Sequence, residues 1–121
     1  MDRMLALAGL LSVFLAVAHS LLGEKLVFSR LREGGRWNEA ALKLLALRRW
    51  WSVRATWHLV SILGAGVAAL LLAKAFGSVD VEMTLGVTFL VAAVYWAVAT
   101  RLGHPAWIVL GLIAAILLVT N

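Results

Sequence analysis

Three histidines are the residues best suited to chemistry in this chain, and each stands in apolar surroundings. His19 lies in "AVAHSLLGEK", His58 in "RATWHLV" and His104 in "RLGHPAW". Imidazole titrates near neutral pH and ligates Zn, Cu, Fe and Ni. Three imidazoles and a carboxylate complete a metal's coordination sphere, and two on adjacent helices can hold a haem iron axially. Glu24 is the acid nearest His19, although five residues of helix separate the two by about 140°. It reaches His19 only if Gly23 interrupts the helix. The expected metal or haem site is therefore His19, His58, His104 and Glu24. A ligating histidine needs its second ring nitrogen held, and Ser61 shares the His58 face. Tyr95, Trp57 and Trp107 are expected to line the same layer.

Each of these residues also has a purely structural reading. His19 can hydrogen-bond across helices. His58, beside Trp57, suits amphipathic anchoring at an interface. His104 precedes Pro105, which fits the first turn of a helix. Ser20 is next to His19, but neighbours on a helix point about 100° apart. No carboxylate is in place to orient that imidazole, so nucleophilic catalysis is not expected.

Positioning these side chains falls to apolar helices. The chain has 121 residues, is 64% hydrophobic and only 14% charged. A soluble domain is about half apolar and a quarter charged, so the composition implies an integral membrane protein. Four runs are long enough, or nearly so, to cross hydrocarbon: about 4–22, 55–73, 83–99 and 106–119. The first reads as a retained span rather than a cleaved leader, because basic charge follows it. Small residues recur on one face of the first span at Gly9, Ser12, Ala16 and Gly23, with His19 among them. Such faces let helices pack closely in lipid. The implied fold is all-α, a single four-helix membrane bundle spanning 1–121.

Eight of the eleven Lys/Arg fall between Lys25 and Arg54. Positive charge stays in the cytoplasm, so the 23–54 connection should be cytoplasmic and both termini should lie outside a cell inner membrane. Gly34–Gly35 should break any helix leaving the first span. "WNEAALKLLALRRWW", capped by Asn38, should form an amphipathic interfacial helix with Trp50 and Trp51 at headgroup depth. Its basic residues suit anionic lipids. No nucleic-acid motif accompanies them. The chain has no cysteine, which excludes disulfides and thiolate metal sites.

Four functions stay open at this point. They are binding of a metal or haem, an accessory or assembly subunit of a larger membrane complex or homo-oligomer, a small proton-coupled transporter, and a membrane enzyme acting on a lipid or isoprenoid. The architecture resembles that of small multidrug-type exporters. Their mechanism depends on a glutamate within the first helix, and no acid lies between Met4 and Gly23 here.

Overall fold

The computed structural model describes residues 1–120. The fold is all-α apart from a minimal two-stranded ribbon. The elements are α1 (Arg3–Leu22), β1 (Arg32–Glu33), β2 (Arg36–Trp37), α2 (Glu39–Leu44), α3 (Leu47–Ala75), α4 (Val81–Ala99) and α5 (Ala106–Val119). Three helical stretches are long and apolar enough to cross a membrane: Arg3–Leu31, Leu47–Ala75 and Val81–Ala99. Ala106–Val119 is apolar but shorter.

The helix ends follow from local chemistry. Asp2 caps α1, its carboxylate accepting from the Met4 and Leu5 amides at 3.0 and 3.1 Å. Asp80 caps α4 in the same way through Met83 N at 2.8 Å. Asn38 caps α2 through Ala41 N at 2.9 Å. Short polar acceptors of this kind satisfy the amide donors that a first turn leaves open.

Helix α1 does not stop at Leu22. It widens into a π-turn over Gly23–Val27 and tightens into a 3₁₀ turn over Phe28–Leu31. Antiparallel strands β1 and β2 follow, pairing Arg32 with Trp37 and Glu33 with Arg36. Gly34 and Gly35 hold φ of 55° and 78°. Positive φ at both central positions is what a tight hairpin turn of the primed type needs. The glycine pair thus makes a turn, beyond the expected helix break.

The interfacial helix expected from Asn38 to Trp51 is corrected. α2 ends at Leu44, and Ala46, at φ −61° and ψ 148°, starts α3 at Leu47. Trp50 and Trp51 therefore belong to the start of the membrane-length helix α3. Trp50 folds back over α2, donating from Nε1 to Ala41 O at 2.7 Å. Its ring stacks on Trp37 with centroids 4.9 Å apart. The hairpin and α2 thereby form a cap on one end of the helices.

Helix α1 packs antiparallel on α3, α3 on α4, and α4 on α5. Small residues make the close approaches, with Gly9 against Leu72, Gly64 near Ala16, Gly66 against Thr88 and Gly86 against Leu118. At the end remote from the cap, Asp2 N donates to Ala75 O at 2.9 Å. Core burial is modest and dominated by alanine, whereas Leu10, Phe14, Leu15, Val94 and Ile116 are exposed. That apolar exterior is the pattern of helices that meet lipid rather than water.

Candidate functional site

The cap end holds a chain of polar side chains between α1 and α3. Ser20 and Glu24 are four residues apart and share a face of α1 and its π extension. Arg54 and His58 are likewise four apart on α3, with Ser61 one turn on. Antiparallel packing brings the two sets together. Glu24 Oε1 accepts from Arg54 Nε at 2.6 Å and faces His58 Nε2 at 2.6 Å. His58 Nδ1 lies 2.8 Å from Ser20 Oγ, which donates to Ser61 Oγ at 2.7 Å. The line Arg54–Glu24–His58–Ser20–Ser61 is continuous.

Its exposure falls along the line. The Arg54 and Glu24 side chains are 38% and 34% exposed, and that of His58 is 16% exposed. A carboxylate between a guanidinium and an imidazole is a charge-assisted arrangement, stronger than a neutral hydrogen bond. With its Nε2 proton toward Glu24, the imidazole presents the Nδ1 lone pair to Ser20.

Aromatic rings wall this line in. Phe28, only 1% exposed, meets Trp37 and Trp57 edge-on at 6.2 and 5.8 Å. Tyr95 of α4 meets His58 edge-on at 6.2 Å. His19 stacks flat on Trp57, centroids 4.6 Å apart and planes 6° apart. Trp57 Nε1 donates to His19 O at 3.0 Å. A Cβ on Gly23 would fall 2.1 Å from that indole nitrogen, so glycine is what admits the ring.

The structure separates several of the expected site residues. Glu24 pairs with His58, not His19. His19 is occupied by Trp57, and its Nε2 is buried with no hydrogen-bond partner among the described residues. Ser20, not Ser61, holds the second nitrogen of His58. His104 is exposed in the α4–α5 turn, where its Nδ1 accepts from Ala106 N at 3.2 Å and its ring meets the edge of Trp96. Trp107 is half-buried on α5 and joins neither the polar line nor the cavity described next. Among the described residues no group of three or more His, Asp or Glu is close enough to hold a metal ion. The geometry thus unites His58, Glu24, Ser61, Tyr95 and Trp57, and leaves His104 and Trp107 outside.

Beside the polar line lies a cavity of about 450 Å³. Arg32 of β1, Arg36 of β2, Arg54 of α3 and Arg101 of the α4–α5 turn all line it. Trp37, Trp51 and Tyr95 supply aromatic walls. The guanidinium of Arg101 sits 4.5 Å over the Trp51 ring, and that of Arg32 sits 5.7 Å over Trp37. Arg32 Nη2 donates to Gly35 O at 2.7 Å, while its Nε is buried without a partner among the described residues. Arg101 and Leu102 hold φ of 53° and 58°, a left-handed conformation that costs non-glycine residues energy. It aims Arg101 back across α3.

No family model, curated protein or solved structure matches the chain. The class that fold and site define is an all-α chain with three membrane-length helices and an arginine-lined cap.

Proposed function

We propose that this is a four-helix integral membrane protein that binds a phosphate-bearing lipid headgroup in its arginine-lined cavity. In this reading α5 completes the bundle, the cap lies on the cytoplasmic face of an inner membrane, and both termini lie on the other side. The observation that carries it is the convergence of Arg32 and Arg36 of the hairpin, Arg54 of α3 and Arg101 of the α4–α5 turn on one cavity. Guanidinium forks match phosphate oxygens geometrically, and stacking on tryptophan keeps them oriented. Among the described residues lining the cavity there is no carboxylate, and of the four arginines Glu24 pairs only with Arg54. The cluster of eight basic residues between Lys25 and Arg54 adds the long-range attraction of a cationic face for anionic lipid.

Tryptophan fluorescence in detergent micelles tests it, because Trp37 and Trp51 line the cavity. Titration with short-chain phosphatidic acid should saturate. The double variant Arg36→Gln/Arg101→Gln should weaken binding at least about tenfold, in line with two lost charge-assisted contacts. Equal binding of phosphatidylcholine of the same chain length would overturn the reading. Equally tight binding of inorganic phosphate would reassign the site to a free anion.

A further inference from the structure

The hydroxyl groups of this chain divide sharply. Ser12, Thr56, Thr84, Thr88 and Thr100 each donate to the carbonyl four residues earlier. That is the ordinary fate of a hydroxyl within a helix. Ser20 and Ser61 do not; they turn into the α1–α3 interface and engage His58 and each other. Ser20 Oγ, His58 and Glu24 thus stand as nucleophile, base and orienting carboxylate, at 2.8 and 2.6 Å. Hydrolases that act through an activated serine require these contacts.

Ser61 borders an apolar groove of about 340 Å³, walled by Leu15, Ala16, Val60, Gly64 and Val67, and Ser20 Oγ stands 2.7 Å behind the Ser61 hydroxyl. His19 lines it as well. The Nε2 of His19 is buried without a hydrogen-bond partner among the described residues, so it keeps a free donor or acceptor site close to the groove that its residue lines. Ser20 is in the last turn of α1, one turn short of Glu24 and level with His58 and Ser61 of α3, on the membrane side of the cap tryptophans. Amphiphile ester linkages lie at that depth, between headgroup and hydrocarbon.

We propose that Ser20 is the nucleophile of an acyl-ester hydrolase whose substrate lays its acyl chain in the α1–α3 groove. The Ser20 hydroxyl swings from Ser61 Oγ to His58 Nδ1, and Ser20 Oγ adds to the ester carbonyl carbon as its proton passes to that nitrogen. Glu24 holds the opposite ring nitrogen and stabilises the imidazolium. The carbonyl oxygen becomes an oxyanion facing the His19 Nε2–H and the Ser61 hydroxyl. The bond from carbon to the alcohol oxygen breaks, and the leaving alkoxide takes the proton from His58. Water then adds to the acyl-Ser20 carbonyl, giving its proton to His58, and the carboxylic acid leaves as Ser20 is reprotonated. The inference stands on different atoms from the arginine cavity, so either can fail alone.

The test is an alkyl fluorophosphonate, which phosphonylates activated serines with loss of fluoride, applied to the full chain in detergent micelles. Intact mass and peptide mapping of the wild-type protein should show one adduct, on Ser20. Ser61→Ala should still label, and His58→Gln should slow labelling by at least about a hundredfold, the usual size of a general-base contribution. Hydrolysis of p-nitrophenyl octanoate should vanish in Ser20→Ala while its circular dichroism stays that of the wild type. An unlabelled wild-type chain, or an adduct that persists in Ser20→Ala, would overturn the proposal. The decisive sample is the wild type, so a variant that folds poorly cannot mask the answer.

Discussion

Two antiparallel helix pairs in this molecule solve the same packing problem differently. In the α4–α5 pair, Gly86 takes Leu118 against its backbone and Gly111 lies near Ala93. The α4 hydroxyls at Thr84, Thr88 and Thr100 all bond within their own helix. In the α1–α3 pair, Gly9 and Gly64 do the same work toward one end. Toward the other, five polar side chains join across the interface. Close van der Waals contact alone therefore suffices to hold a helix pair here, as it does in lipid generally. The polar line in α1–α3 is an addition, confined to the end where the cap and the arginine cavity lie. Buried polar groups of that kind fix register and serve chemistry more than they add stability.

That contrast can be broken or sharpened by substitution, with SDS-driven unfolding followed by circular dichroism as the common measurement. The largest effect is expected for Gly23→Ala. Its methyl would displace the Trp57 indole, losing the bond to His19 O, at a cost of about 3 kcal/mol. Stability within error of wild type would show that the ring has room to move. Glu24→Ala comes next. It leaves Arg54 and His58 without their shared acceptor and should cost about 2 kcal/mol, with partial exposure keeping the loss below that of a fully buried pair. A gain in stability would mean that the carboxylate is held there at a loss. Ser61→Ala removes one interhelical hydroxyl and should cost only about 0.6 kcal/mol, the usual value in membrane helix pairs. On the dry side, Gly86→Ala should change stability by no more than about 0.5 kcal/mol, because the gain in helix propensity offsets the shift of the Leu118 side chain that the new methyl requires. If Gly86→Ala proved as damaging as Gly23→Ala, the two interfaces would be equally rigid and the contrast would fail.

Much of the fold can be read from apolar runs, since lipid-facing helices are apolar whatever they pack against. The start of α3 cannot. "LRRWWSVR" lowers the local hydropathy, yet it is continuous helix because Trp50 closes over α2 and Arg48 Nη2 donates to Gly103 O at 3.2 Å. Hydropathy reports what surrounds a helix, not where the helix begins. The site has a similar lesson. Glu24 looks misplaced when measured from His19, five residues away. Measured from Ser20, it is at the spacing of four that defines a helix face, and Arg54 and His58 repeat that spacing on α3. Pairing two such spacings across an antiparallel interface finds the polar line. The arginine cavity has no comparable signature, because Arg54 and Arg101 meet the hairpin that carries Arg32 and Arg36 only in the folded chain.

The length of α3 also sets a mechanical condition. Its 29 residues rise about 43 Å, whereas bilayer hydrocarbon is about 30 Å thick. Hiding the surplus by leaning alone would take a tilt of roughly 45°, beyond the range of about 0–40° seen for membrane helices. In a bilayer of that thickness, a lean of about 20° would leave some two turns of α3 outside the hydrocarbon. The cap is tied to that end of α3 through Trp50, by its bond to Ala41 O and its stacking on Trp37. Any lean of the helix is transmitted to the hairpin as a lever transmits it to its tip.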